Sequence, residues 1–146
     1  MTVTRPTLYA LPLIGWKENV ALPLLGLGEL AAKIDTGARV AALHAEDVAI
    51  AGRMVSFTIL LSNRRRRCEA RLTDVKRIKS SNGAIEKRAV IETDIQIGNT
   101  RFSTLITLTD RTDMGVLMLL GREALKGRFL VNPARSFLLR TKKVNS

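Results

Sequence analysis

Hydrophobic and polar residues alternate with a period of two in several segments of the chain. In the segment 55–61 every second residue is apolar, from Val55 to Leu61, while Ser56 and Thr58 fall on the other face. This period is typical of half-buried antiparallel strands. The same alternation recurs in residues 91–97 and 102–108. The pattern therefore predicts a mostly β fold.

Short polar turns separate the predicted strands. The pairs Asn82-Gly83 and Gly98-Asn99 favour tight hairpin connections, and Ser62-Asn63 begins a third turn. The four arginines at 64–67 are expected to occupy that third turn. Because charge runs commonly occupy loops, we expect these arginines at a solvated hairpin tip.

The C-terminal third departs from simple alternation. Residues 116–120 form an unbroken apolar run, which predicts a strand buried on both faces. Residues 122–126 suit one or two helical turns, which Gly127 is placed to end. Further strands are expected at 129–131 and 136–139. The sequence thus predicts an all-β fold with one short helix near the C-terminus.

The composition indicates a globular chain. Hydrophobic residues make up 46% of 146 residues, enough for a core without disulfides. We expect a single domain over residues 1–146. The chain has one cysteine, Cys68, and one histidine, His44, so it has neither an internal disulfide nor a Cys/His-rich zinc site. We expect both side chains to have structural roles, although the neighbouring arginines would lower the pKa of an exposed Cys68 thiol.

The formal net charge of +11 indicates attraction to acidic partners. Aromatic residues make up only 4% of the chain, and no stacking motif accompanies the arginines, so nucleic acid is not the expected partner. The arginines at 64–67 keep a nucleic-acid-binding loop open as a third hypothesis. Charged residues and prolines interrupt the apolar N-terminal region 8–32, so we expect neither a membrane span nor a signal peptide, and a cytoplasmic location.

The run Asp35-Thr36-Gly37-Ala38 follows a predicted strand at 30–34 and is the strongest candidate for chemistry. Two aspartates about 3 Å apart share one proton and so supply both an acid and a base for peptide hydrolysis. Gly37 is expected to allow close approach and unusual dihedral angles, and the hydroxyl of Thr36 to tie one loop to another. The alternative is a turn aspartate that caps its own backbone.

A second element strengthens the first interpretation. Leu119-Leu120-Gly121-Arg122 precedes the predicted short helix, and the combination with Asp-Thr-Gly-Ala at 35–38 resembles the retropepsin-like aspartic proteases. The resemblance implies the closed β-barrel of the acid protease fold, with Asp35 catalytic, Thr36 and Gly37 shaping the site, and the second element supporting it. One chain supplies one Asp-Thr-Gly, so a catalytic pair implies a homodimer.

Over nearly its whole length the chain resembles a bacterial subfamily of this group, labelled ATP-dependent zinc proteases and encoded near ATP-grasp glutamate ligases. The matching stretches are residues 14–16, 33–39, 42–45, 77–83, 107–111 and 119–125. The resemblance implies a functional link to a glutamate ligase. The sequence contains neither His-Glu-x-x-His nor a phosphate-binding Gly-Lys-Ser/Thr loop, so we expect no metal and no cofactor.

The resemblance also implies substrate-binding residues. A flap hairpin is expected at Ser80-Ser81-Asn82-Gly83, and Ala38 and Arg39 would line the cleft. Viral relatives often carry an acidic residue at the position of Arg39, where it pairs with the arginine of the second element. Here Arg122 must find another partner and the cleft becomes more positive, which favours an acidic or glutamate-rich peptide. A peptide-binding or partner-binding module without catalysis is the alternative function.

Overall fold

The computed structural model describes residues 10–79, 82–110 and 115–139. Strands predominate in these ranges, with one short α-helix and a 3-10 helix at Pro23–Leu25, so the mostly β prediction is confirmed. The strands are β1 (Leu13–Gly15), β2 (Lys17–Leu22), β3 (Leu27–Ile34), β4 (Ala41–His44), β5 (Glu46–Ala51), β6 (Met54–Leu60), β7 (Arg65–Lys79), β8 (Ile85–Ile97), β9 (Thr100–Thr109), β10 (Met118–Leu120) and β11 (Leu130–Asn132). Helix α1 (Arg122–Leu125) lies between β10 and β11. No helix within the described ranges has the length and apolar character needed to cross a membrane.

Six of the strands close into a barrel. They follow the order β2-β3-β10-β4-β9-β8, and a pairing of Ala21 with Gln96 joins β2 to β8. The pairs β3–β10 and β4–β9 are parallel, while the other neighbours in the barrel are antiparallel. Strands β7, β6 and β5 continue the sheet beyond β8. The closed β-barrel expected from the resemblance is confirmed.

The alternating segments supply the core. In β8, Ile91, Ile95 and Ile97 are fully buried, Thr93 is nearly so, and Glu92 is exposed. Each fully buried isoleucine stabilises the fold by about 1.5–3 kcal/mol relative to an exposed one. Because aliphatic residues dominate this interior, closure of the barrel relies on the fit of many small contacts and little on aromatic side chains.

Two predicted hairpins form as expected. Strands β7 and β8 pair up to Lys79 and Ile85, and Gly83 in their turn has a φ of 88°. Strands β8 and β9 pair up to Ile97 and Thr100, and Gly98 has a φ of 59°. A left-handed φ strains residues other than glycine, so these turns need glycine at both positions.

Only the first residue of the arginine run, Arg64, lies in the hairpin turn between β6 and β7. Arg65, Arg66 and Arg67 belong to β7 and pair with β6, and Leu61 N–H donates to Arg64 O at 2.8 Å to close the turn. The prediction was wrong for residues 65–67, because the hydrogen-bonded pairing of β6 with β7 extends almost to the turn. The guanidinium of Arg67 donates across the sheet, to Thr58 Oγ1 at 3.0 Å among other acceptors.

The predicted strand at 136–139 is absent from the described structure. This segment is irregular and is held instead by Glu18, which is fully buried on β2. The Glu18 carboxylate accepts hydrogen bonds from Gly15 N–H at 2.7 Å, Leu138 N–H at 2.8 Å and Leu139 N–H at 3.1 Å. A buried carboxylate thus takes the place of the expected strand pairing at 136–139, and the sequence analysis did not identify this role of Glu18.

Candidate active site at the Asp35 loop

The two elements singled out in the sequence meet at one end of the barrel. Strand β3 ends at Ile34, which pairs with Leu120 of the parallel strand β10. Asp35 N–H then donates to Leu120 O at 2.9 Å. Because parallel strands end at the same edge of a sheet, the Asp35 loop (residues 35–40) lies directly beside Gly121 and the start of α1.

The Asp35 carboxylate is half-buried and has a fixed orientation. Its Oδ1 accepts a hydrogen bond from Gly37 N–H at 3.0 Å, and Ala38 N–H donates to Asp35 O at 3.2 Å. This is the turn geometry of a capping aspartate. Among the described residues, Oδ2 has no hydrogen-bond partner. The capping interaction therefore coexists with a carboxylate oxygen that is available to a substrate or a second carboxylate.

Arg122 braces the Asp35 loop through backbone oxygens. Its Nη1 donates to Thr36 O at 3.1 Å and to Gly37 O at 3.0 Å, while its backbone N–H donates to Ala38 O at 2.8 Å. The next residue, Glu123, donates its N–H to Arg39 O at 2.9 Å. Arg122 was expected to find a partner other than the acidic side chain of the viral enzymes. That partner is the backbone of the Asp35 loop.

The expected role of Gly37 is only partly correct. Its φ is not among the positive values of the chain, so unusual dihedral angles do not require glycine there. A Cβ at Gly37 would lie 3.2 Å from Asp35 Oδ1, so glycine keeps space for the carboxylate. Thr36 is exposed, and the tie between its hydroxyl and a second loop stays a prediction.

Gly121 is the more constrained glycine of the site. A Cβ there would lie 2.6 Å from Val40 O and 2.8 Å from Ala38 O, and both oxygens belong to the loop backbone. Leu119 is half-buried and Leu120 fully buried beside it. The second element therefore supports the loop by close backbone contact as well as by hydrogen bonds.

We expect Gly121→Ala to lower the free energy of unfolding by about 1–3 kcal/mol, because the loop backbone must move away from the added methyl group. Urea denaturation would measure the change. Gly28→Ala on β3 is the matched control, since a Cβ at Gly28 meets nothing within 4 Å. Equal stability of the two variants would contradict the close contact at Gly121.

A groove of about 680 Å³ lies on the Arg39 side of the loop. Its charged lining consists of three basic side chains, Arg39, Lys76 and Arg128, and two acidic ones, Glu92 and Glu123. Lys76 belongs to β7, so the stem of the predicted flap hairpin reaches this groove. The positive balance fits the expectation that Arg39 makes the cleft attractive to anions.

The tip of the predicted flap is only partly described. Asn82 and Gly83 are exposed in the turn between β7 and β8, and Asn82 Oδ1 accepts a hydrogen bond from Ala84 N–H at 3.1 Å. Ser80 and Ser81 lie outside the described residues. Substrate covering by these four residues therefore stays a prediction.

Cys68 and His44 are both buried in the fold, as expected. Cys68 lies on β7 opposite Phe57. Burial raises the pKa of its thiol, against the opposing effect of Arg66 and Arg67. The thiol is therefore protonated at neutral pH and poorly suited to act as a nucleophile.

Comparison with known proteins supports this architecture. Proteins named "Probable alpha-L-glutamate ligase" from Shewanella halifaxensis and Parasynechococcus marenigrum are 43% and 36% identical over 135 residues, or 87% of this chain. The chain spans only about 30% of the length of these relatives. A crystal structure of a Legionella pneumophila protein of unknown function matches with a TM-score of 0.74 and 28% identity, covering 87% of this chain and 97% of that one.

A known protein family matches the part of the chain that contains the barrel and the Asp35 loop. Residues 13–142 match the RimB-like family, described as "Retropepsin-like aspartic endopeptidase RimB". The match includes the Asp35 loop and the second element around Gly121, the two parts that the structure brings together. The chain therefore belongs to the RimB-like family of retropepsin-like proteins.

Proposed function

We propose that this protein is an aspartic-type endopeptidase in which Asp35 carries the chemistry. The observation that supports this function best is the Asp35 carboxylate itself. One of its oxygens is held by Gly37 N–H, and the other has no partner among the described residues. Arg122 and the Gly121 contact hold the surrounding loop on a retropepsin-like barrel. A preorganised carboxylate at a braced loop is what general acid–base hydrolysis requires.

The proposed catalytic unit is a homodimer with Asp35 of each chain at a two-fold axis. Two carboxyl groups at about 3 Å share one proton, so one is ionised while the other is protonated. The ionised carboxylate removes a proton from water as its oxygen attacks the peptide carbonyl carbon. The protonated carboxyl group donates its proton to the carbonyl oxygen. The resulting tetrahedral intermediate collapses with cleavage of the C–N bond and protonation of the leaving amine.

We further propose an acidic, glutamate-rich peptide as the substrate. The groove beside Arg39 carries more basic than acidic side chains, and the whole chain has a net charge of +11. Such a surface concentrates anionic peptides near the loop. The name glutamate ligase belongs to the relatives, and it supports a functional link in which a ligase of that kind acts on the same substrate.

A peptide pair tests the substrate. A fluorogenic peptide containing a run of glutamates is compared with the same peptide carrying glutamine at those positions. We expect the glutamate peptide to be cleaved with a kcat/KM at least about tenfold higher, since two or three ion pairs of about 0.5 kcal/mol each with the basic side chains together contribute about 1.4 kcal/mol. Equal cleavage of the two peptides would remove the acidic-substrate proposal while leaving the peptidase proposal in place.

Sedimentation velocity across micromolar concentrations, in moderate salt, tests the dimer. A concentration-dependent rise to twice the chain mass, in parallel with specific activity, supports the paired Asp35 site. A strict monomer that binds the glutamate peptide without cleaving it would replace the peptidase with a peptide-binding module of the same fold.

A further inference from the structure

Three side chains with metal-ligand atoms meet at the edge where β4 and β9 end. His44 is the last residue of β4, Glu46 the first of β5, and Asp110 follows β9 directly. One ligand atom from each can be chosen so that all three lie within 4.8 Å of one another. His44 Nδ1 is 3.9 Å from Asp110 Oδ1. These three residues are called the His44 cluster below.

The barrel topology creates the His44 cluster. Strands β4 and β9 are parallel, with His44 paired to Thr109, and Ala45 N–H donates to Thr109 O at 3.0 Å. The Asp35 loop precedes β4, so β4 separates it from His44. The cluster is thus distinct from the proposed catalytic site. Its three side chains take no part in the proposed hydrolysis.

A buried hydroxyl beside the cluster supplies a second observation. Thr109 is only 2% exposed, and its Oγ1 has no hydrogen-bond partner within the described part of the chain. Because Thr109 is paired with His44, their side chains stand on the same face of the sheet. An unsatisfied buried hydroxyl costs about 1–3 kcal/mol. A water molecule held by a cation in the cluster would provide the hydrogen bond that Thr109 lacks.

The charges near the cluster are compatible with a cation. Glu46 and Asp110 contribute two carboxylates. Arg67 on β7 lies two strands from Glu46 in the sheet. Its guanidinium donates to Asp47 O, Thr58 Oγ1 and Ser56 Oγ. In a chain with a net charge of +11, this group is a local concentration of acidic side chains around an imidazole.

We propose that the His44 cluster binds one divalent transition-metal ion, with Zn²⁺ as the test ion. An imidazole nitrogen with two carboxylates is a donor set suited to such ions. Ligands at about 2.0–2.2 Å from Zn²⁺ lie about 3–4 Å apart. The present spacing needs only a small rotation of Asp110, whose side chain is 68% exposed. The bound ion clamps the adjoining ends of β4, β5 and β9.

This proposal departs from the expectation of no metal, which rested on motifs contiguous in sequence. His44 and Glu46 are close in sequence, but Asp110 reaches them only through the pairing of β4 with β9. Linear spacing therefore carried no signal for the complete ligand set.

Titration calorimetry with ZnCl₂ tests the proposal on the full chain, purified without a histidine tag and stripped of metal. We expect one Zn²⁺ per chain with a Kd on the order of micromolar, weakened at least about tenfold in Asp110→Asn. Asp94→Asn on β8 is the control, because Asp94 pairs with Arg101 away from the cluster. Since the chain has one histidine, imidazole nitrogen NMR reports His44 without ambiguity.

A shift of the His44 ring signals at one equivalent of Zn²⁺, lost in Asp110→Asn and kept in Asp94→Asn, supports the site. Unchanged ring signals, no saturable binding, or equal affinity in all three proteins would overturn it. His44→Gln is a further variant that should lose binding. Because a substitution of the buried His44 can disturb folding, the exposed Asp110 substitution decides the outcome.

Discussion

Asp35→Asn is expected to reduce peptide hydrolysis by about 1,000-fold, because the amide neither removes a proton from water nor returns one to the carbonyl oxygen. The fold should persist. The asparagine side-chain oxygen can still accept the hydrogen bond from Gly37 N–H that Oδ1 accepts now. Initial rates on a glutamate-rich peptide give the activity, and urea denaturation gives the stability. Retained hydrolysis at the wild-type rate would eliminate Asp35 as the catalytic residue.

Mixing experiments distinguish a shared site from two independent ones. If each active unit needs Asp35 from both chains, equal amounts of wild type and Asp35→Asn at exchange equilibrium give an activity per wild-type chain of about one half. If each chain works alone, that activity stays unchanged. Asp94→Asn serves as the mixing control, since the Asp94 side chain pairs with Arg101 on the hairpin β8–β9.

Glu18→Gln is expected to lower the free energy of unfolding by about 2–4 kcal/mol. The Glu18 carboxylate is fully buried and accepts three backbone N–H groups. Glutamine has the same shape, but its amide nitrogen is a donor and must face at least one of those N–H groups. Loss of a charge-assisted hydrogen bond and an unsatisfied buried donor together account for the expected size.

Urea denaturation measures this loss, with Glu29→Gln as the control because Glu29 is exposed on β3. Amide hydrogen exchange gives a local readout. Leu138 and Leu139 should lose protection in Glu18→Gln, since their N–H groups are the donors affected. A stability within about 0.5 kcal/mol of wild type would show that the carboxylate does not hold the C-terminal segment.

Local pattern determined much of the fold. Alternation of apolar residues placed β6, β8 and β9, and the glycines at 83 and 98 marked their turns, because a strand side-chain period of two and a left-handed φ are local properties. The Asp35 run and the element around Gly121 were both identified from the sequence. Both elements could be identified because an apolar strand followed by a turn of small residues is visible in a short stretch of sequence.

Tertiary structure decided what depends on distant residues. Pairing of β3 with β10 brought Arg122 to the backbone oxygens of Thr36 and Gly37, a contact that no spacing rule predicts. Burial decided the role of Glu18, which looks like an ordinary surface residue in the sequence. Its carboxylate holds the irregular segment 136–139, where a strand was predicted, by accepting backbone hydrogen bonds from Leu138 and Leu139. Parallel pairing of β4 with β9 assembled the His44 cluster. The sequence determines which residues can form strands and turns, whereas long-range pairing determines which of their side chains meet.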